Sequence, residues 1–294
     1  MMRHLPYDRA CNMSISLALV APGAMGAALG ARLTARGARV LTTLQGRSDR
    51  TCARALQAGM EDASPQALLQ APWFLSVVPP ADALTLARQF AQWCEGIEDK
   101  PVYVDLNAIN PDTAGRVQAI VEAAGARFVD GCIIGLPPQG DAAGPALYLS
   151  DDAVEIADAL NACGLDTRLL HGGVGAASAL KMAYAGLNKG MGALGVAMIL
   201  AADRHGAGEA LRDALADSNP ALLGLLERGL PDLLPKARRW APEMQQIGDF
   251  IGGDRPESRI FSAMADQYRA LADDVDGGAE EADVLKRFAA SRSL

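Results

Sequence analysis

Two lysines are the only charges in a long apolar stretch near the middle of the chain, and one of them is the first candidate for chemistry. Residues 171–202 read HGGVGAASALKMAYAGLNKGMGALGVAMILAA, with Lys181 and Lys189 among Ala, Gly, Leu, Met, Val and Ile. Burying an ammonium is costly unless it is paired or gives up its proton. Lys181, Ala185 and Asn188 fall at i, i+4 and i+7, one face of a helix. That spacing predicts that Lys181 and Asn188 point the same way. The helix alone leaves two readings open: Lys181 carries its head out to water along its own stem, or it has a proton to move.

A second candidate lies near the start. Ile15–Val20 is a short apolar run, followed by Ala21-Pro22-Gly23-Ala24-Met25-Gly26, an alanine-rich helical stretch and a second apolar run, ARVLTTL. This is strand, glycine turn, helix, strand. The spacing G-x-G-x-x-G would put glycine at 21, 23 and 26; Ala21 replaces the first. Gly23 lets the backbone approach a pyrophosphate, Gly26 lets the helix pack on the strand, and the free amides of the first helical turn, from Ala24 and Met25 on, hold phosphates. A dinucleotide site is therefore expected at Ala21, Gly23, Ala24, Met25 and Gly26. After the second strand no acid appears until Asp49; Gln45-Gly46-Arg47-Ser48 comes instead. An arginine beside a hydroxyl suits a 2′-phosphate, whereas an acid there would suit a free ribose. The expectation is NADP rather than NAD, with Gln45, Arg47 and Ser48 at the phosphate; the plainer reading of Arg47 is a solvated loop charge.

The elements that must position these groups alternate as far as residue 170. Strands are expected at Trp73–Val78, Val102–Leu106, Arg127–Asp130, Ala146–Leu149 and Thr167–Leu170, with helices between. In a doubly wound sheet the loops after the strand ends line the ligand crevice. Val78-Pro79-Pro80 would then form a rigid wall beside the cofactor, and Asn107-Ala108 would open the next loop. Beyond 171 the strands cease. Helices are expected at 171–202, after its opening glycines, Gly208–Asp217, from Asn219-Pro220, Trp240–Ile251 with Pro242 in its first turn, Pro256–Ala272 and Ala279–Ala290, with a break at Pro231 and Pro235 and a solvated acidic loop at Asp273–Glu281. The fold class is α/β: a Rossmann-like doubly wound sheet followed by an all-α C-terminal domain. The divisions are a tail at 1–13, a dinucleotide-binding domain at 14–170 and a helical substrate and dimerisation domain at 171–294.

Composition narrows the classes. The chain has 294 residues, half of them hydrophobic, enough for two domains with their own cores. A net charge of −8 without a basic stripe argues against a nucleic-acid surface. The cysteines, Cys11, Cys52, Cys94, Cys132 and Cys163, have no C-x-x-C spacing, and His4, His171 and His205 form no ligand pattern. No metal site is expected, and the cysteines fit a reducing cytoplasm. The glycines and lysines of 171–202 favour a buried helix over a membrane span. The first residues have no apolar run of a signal peptide, and read as a tail before Ser14. So long an apolar, glycine-rich helix exceeds what one subunit buries, which predicts a homodimer in which Trp240–Ile251 closes the partner's cleft.

These pieces together resemble the β-hydroxyacid dehydrogenases, relatives of 3-hydroxyisobutyrate and 6-phosphogluconate dehydrogenase, across nearly the whole chain. Ala21–Gly26 is similar to the family's G-x-G-x-M-G, and Asp105–Pro111 (DLNAINP) to its substrate-contacting D-x-S-T/S-x-x-P. Asp130-Gly131-Cys132 is similar to its D-x-x-x-G-G, and Gly175–Lys181 to the segment bearing its catalytic lysine. LKMAYAGLNKGMGAL and EMQQI resemble a bacterial branch of NAD(P)-dependent oxidoreductases with a shorter helical C-terminal domain. The resemblance implies a nicotinamide crevice between sheet and helices, and hydride transfer between NADP(H) and a small hydroxy acid or its carbonyl product. It makes Lys181 the general acid and base and Asn188 an orienting group. Asn107, Ala108 and the amides of Gly131 and Cys132 would hold the substrate. The family's asparagine four residues after the lysine is Ala185 here, and Asn107-Ala108 replaces its hydroxyl residues, so the small-molecule substrate is altered from that of the short 3-hydroxy acid enzymes. Two alternatives stay open. One is an imine reductase, a group that often carries Asp or Tyr at the lysine position. The other is a cofactor-binding sensor without turnover.

Overall fold

The computed structural model describes residues 15–138, 144–150 and 153–290. The tail expected at 1–13 lies outside them. The chain divides into two compact units that meet between Lys181 and Met182.

The first unit opens with the expected strand–turn–helix–strand: β1 (Ser16–Val20), α1 (Ala24–Ala35) and β2 (Arg39–Thr42). Then come α2 (Asp49–Gln57), a two-residue strand β3 (Glu61–Asp62) that the sequence did not announce, α3 (Pro65–Leu68), β4 (Trp73–Ser76), α4 (Ala83–Trp93), β5 (Val102–Asp105) and α5 (Pro111–Ala123). β6 (Phe128–Ile134), β7 (Ala146–Ser150), α6 (Val154–Ala162) and β8 (Asp166–Leu170) complete the sheet. Its order is β3-β2-β1-β4-β5-β6-β7-β8. Neighbours are parallel except at β6 and β7, which run antiparallel. The order reverses between β1 and β4, which is where a Rossmann-like sheet binds its ligand.

Alternation along each strand builds two cores. Leu17, Leu19, Val40, Leu75, Val104 and Val129 face one side, and Ala18, Val20, Leu41, Phe74, Tyr103 and Phe128 the other. On the second side, Phe74, Tyr103 and Phe128 stand in register on β4, β5 and β6 and stack at 5.4 and 6.1 Å. Phe90 of α4 packs on the first two at 5.0 and 4.9 Å.

One boundary needs correction with consequences for the site. β6 does not end at Gly131-Cys132 but runs on to Ile134, because Gly131, Cys132, Ile133 and Ile134 pair with Leu149, Tyr148, Leu147 and Ala146 of β7. The turn comes instead at Gly135, whose φ of 124° favours glycine.

Helix α7 (Ala176–Arg204) starts in the first unit and runs into the second. By length and composition it could cross a membrane. Within the second unit it is the core helix: Met182, Ala185, Ala193, Val196, Ile199 and Leu200 join that unit's core. Around it stand α8 (Gly208–Ser218), α9 (Pro220–Leu233), α10 (Ala237–Ile251), α11 (Ser258–Asp276) and α12 (Glu280–Ala289). Close approach explains the glycines of the long helix. A Cβ on Gly195 would sit 2.3 Å from Leu226 Cδ2, and one on Gly192 3.0 Å from Leu233 Cδ1.

Three readings of this half are corrected. α9 continues through Pro231 to Leu233, and the break is a single 3-10 turn at Leu234–Lys236 around Pro235. α10 starts at Ala237, which puts Pro242 in its second turn. Asp273–Glu281 is not a loop throughout: α11 extends to Asp276, with Arg238 donating to Asp273 at 3.0 Å and Asp276 at 2.7 Å. Asp274 accepts from the amides of Glu281 and Ala282 and so starts α12.

Candidate active site

The glycine turn has the geometry its spacing implies. A Cβ on Gly26 would lie 2.2 Å from the Ala21 carbonyl oxygen and 3.0 Å from Leu19 Cδ2, so only glycine lets α1 start this close to β1. A Cβ on Gly23 would meet nothing within 4 Å, which leaves the backbone open to a ligand. Ala21 is tolerated where the fingerprint has glycine because its φ lies outside the left-handed region. No side chain caps α1 at Gly23, so the amides of its first turn are free to receive an anion.

At the same end of the sheet a cavity of about 410 Å³ is lined by Val20, Thr43, Gln45, Arg47, Val78 and Trp93, among others. It brings together Gln45 and Arg47 from the loop after β2 with Val78 from the loop after β4. Pro79 is exposed, and Pro80 begins the short 3-10 turn that leads into α4. Ser48 precedes α2, its hydroxyl 3.1 Å from that of Thr51. The sequence reading missed the other wall: Asp82, Thr85, Leu86 and Gln89. Their spacing of three, four and seven residues puts them on one face of the entry into α4 and its body, a signal that reads equally well as a solvated face. It also missed Asp62. Asp62, on β3, accepts from the Leu44 amide at 2.9 Å and so holds the start of the loop after β2.

On the β5 side, Asn107 is buried and hydrogen-bonded through its side-chain oxygen, its side-chain nitrogen and its backbone amide. Its Oδ1 accepts from the Val78 amide at 2.7 Å, its Nδ2 donates to Ser76 Oγ at 2.8 Å, and its own amide donates to Asp105 at 2.8 Å. The side chain ties the loop after β5 to the wall after β4. Ala108, next to it, is half-buried. Gly131 and Cys132 do not offer the turn amides expected of them, since both sit inside the paired strand β6. A Cβ on Gly131 would lie 2.8 Å from Leu149 Cδ2 and 3.0 Å from the Asp105 carbonyl oxygen, so this glycine serves packing. Counting D-x-x-x-G-G from Asp130 reaches Ile134 and Gly135, where the strand does end.

Lys181 is half-buried, and its Nζ donates to the Ile133 carbonyl at 2.6 Å. Burial holds its pKa below the ordinary lysine value, with the nearby Cys132 pulling weakly the other way. Burial pushes the Cys132 thiol up to about 12, the Lys181 charge opposing, so Cys132 stands as a thiol beside the lysine. Asn188 belongs to the second unit. It is exposed, and its Nδ2 donates to the Tyr184 carbonyl one turn back at 2.9 Å. The other lysine of α7, Lys189, has a partner in Glu243 and lies 5.6 Å over the Trp240 ring. Among the described residues no group of three or more His, Cys, Asp or Glu could hold a metal.

Residues 202–271 match the family described as a domain of unknown function, DUF1932. A search of the curated proteins finds no match. Among solved structures, the conserved protein MTH1747 of unknown function, reported as similar to 3-hydroxyacid dehydrogenases, is 27% identical. The match covers 88% of this chain and 98% of that one, with a TM-score of 0.67. The 3-hydroxyisobutyrate dehydrogenase of Mycobacterium tuberculosis, with L-serine, is 18% identical over 95% and 100% of the chains, with a TM-score of 0.69. An imine reductase from Myxococcus stipitatus in complex with NADP+ is 20% identical over 94% and 99%, with a TM-score of 0.54. These neighbours are oxidoreductases or structurally similar to them, and with the matched C-terminal segment they match a β-hydroxyacid dehydrogenase-like architecture with a helical C-terminal domain.

Proposed function

We propose that the chain is an NAD(P)-dependent oxidoreductase that moves a hydride between NADP(H) and a small hydroxy acid or its carbonyl product. The observation that carries this reading is Lys181, half-buried with a lowered pKa, in a unit that also holds an open glycine turn at the switch point of the sheet. The cofactor fits the residues present. Gly23 leaves its backbone clear, the amides after it suit a pyrophosphate, and the cavity by Gln45 and Arg47 suits the adenosine end. When bound, the nicotinamide supplies or accepts the hydride. The protein's own task is the proton. In oxidation the unprotonated Lys181 amine takes the hydroxyl proton; in reduction its ammonium returns one to the forming alkoxide. A lysine with a lowered pKa can hold either form nearer neutral pH than an exposed one. Ile133's carbonyl accepts one ammonium hydrogen and leaves the others for substrate. Asn107 orients the wall at Val78 in this reading, and Asn188 is retained as an orienting group for substrate.

We also infer a homodimer. Tyr184, Leu187, Met191, Leu194 and Met198 are exposed on α7 at alternating spacings of three and four, Leu187 by 71%. That is the seam two helices bury against each other, and a second copy supplies the matching seam.

The test follows NADPH absorbance with hydroxy acids, semialdehydes and cyclic imines. Turnover of a hydroxy acid or its carbonyl product is expected. Lys181→Ala should lose that turnover and still bind NADPH. Turnover retained by the variant refutes the role of Lys181, reduction of imines alone moves the chain to the imine reductases, and NADPH binding without turnover of any compound supports a sensor.

A further inference from the structure

The Asp130 carboxylate, 1% exposed, collects five donors from two other segments of the first unit. Oδ2 accepts from the amides of Gly175, Ala177 and Ser178 at 2.9, 3.0 and 3.2 Å, and from Ser150 Oγ at 3.2 Å. Oδ1 accepts from Ser178 Oγ at 2.8 Å. Three residues further along the same strand, Ile133 takes the ammonium of Lys181. Lys181 lies one helical turn beyond Ser178. One strand therefore grips both the start of α7 and the tip of the lysine it carries. A buried amide left without its acceptor is strongly unfavourable, so these bonds hold the first turn against β6.

We propose that Asp130 is the positioning residue for Lys181: by clamping the first turn of α7 to β6, it fixes where the ammonium sits without touching a reacting atom itself. The proposal rests on the reading of Lys181 as the acid and base. The clamp works by geometry rather than charge, since burial and the neighbouring Cys132 are what act on the titration of Lys181. An asparagine can replace the aspartate on that account. Its carbonyl remains an acceptor for the first-turn amides, and the Ser178 hydroxyl turns round to accept from its amide nitrogen. Alanine offers neither group.

The test is competitive labelling of Lys181 by acetic anhydride across pH in the full chain, with the labelled peptide read by mass spectrometry. It gives the titration midpoint of Lys181 and needs no substrate. The wild-type midpoint should lie below that of an ordinary lysine. Asp130→Ala should raise it by a unit or more, which is about a tenfold drop in unprotonated lysine at neutral pH. Asp130→Asn should leave it in place. If the alanine variant fails to fold, the double variant Asp130→Asn/Ser178→Ala takes its place. It strands the new amide nitrogen, and its midpoint should rise where that of Asp130→Asn does not. A folded Asp130→Ala or double variant with the wild-type midpoint overturns the proposal, and so does an Asp130→Asn midpoint raised as far as that of alanine. Turnover surviving in Lys181→Ala refutes the acid–base reading separately, because the labelling curve still reports the clamp.

Discussion

Asp105, at the end of β5, is fully buried, and its Oδ2 has no hydrogen-bond partner. Its strand neighbour in register is Asp130. Burial pushes its carboxyl up to about 7 from an ordinary 3.8; the Asn107 amide opposes this, and the Asp130 charge adds to it. The folded chain therefore keeps a proton that the unfolded chain has lost. In that interval the unfolded state binds fewer protons, so stability falls as pH rises from about 4 to about 7 and is level beyond. About three pH units at ~1.4 kcal/mol each come to ~4 kcal/mol, of which ~2–3 kcal/mol lies between about pH 5 and pH 8. Asp105→Asn removes the titration while keeping the acceptor for the Asn107 amide. Urea unfolding of both proteins at each pH should show the variant gaining ~2–3 kcal/mol on the wild type between about pH 5 and pH 8, whatever its offset at the lower pH. The comparison cancels the carboxylates that do not interact with Asp105. A stability difference that stays constant over that range would falsify the account of Asp105.

Gly26→Ala drives a methyl into the Ala21 carbonyl, so it should lose ~1–3 kcal/mol in thermal unfolding as well as NADPH binding. Gly23→Ala, with open space at its Cβ, should keep the wild-type melt and lose only the binding; equal melting losses in the two variants refute the division of roles. Arg47→Gln should weaken NADPH about tenfold in calorimetric titration, the worth of a charge-assisted bond, and leave NADH alone; an equal loss for both returns Arg47 to a loop charge. Light scattering at micromolar concentration should find a dimer in the wild type and a monomer in Leu187→Asp/Leu194→Asp, and a monomeric wild type sinks the dimer.

What was legible in the sequence was local. Ile15–Val20 followed by Gly23 and Gly26 fixes a strand, a turn and a helix within one short window, and the gathering of Gln45, Arg47 and Val78 follows from where strands end in a doubly wound sheet. What was not legible depends on partners far along the chain. Residues 131–134 begin with a glycine and read as the end of a strand; they stay in one because 146–149 lie alongside. Asp273 and Asp276 read as solvated loop acids, and α11 persists through them with Arg238, 38 residues before Asp276, pairing with both. The polar face of α4 was not legible as a cavity wall, because amphipathic periodicity says which residues avoid the core, not what they face instead.

Asn107 and Gly131 show the same limit at the site itself. Asn107 follows the end of β5, whereas Gly131 lies inside β6 rather than at its end, and a residue of either type at a strand end suits a substrate contact. Asn107 spends its oxygen on Val78 and one amide hydrogen on Ser76, and Gly131 is small because Asp105, Leu106 and Leu149 leave no room for a Cβ. Type and position along the chain cannot separate a group that meets substrate from one that holds such a group in place, because both need the same polarity in the same neighbourhood. The separation comes from counting which donors and acceptors are already taken. On that count Asp130 is committed to the scaffold, Asn107 has spent its oxygen and one amide hydrogen there, and Lys181, with one ammonium hydrogen on Ile133, has others to give.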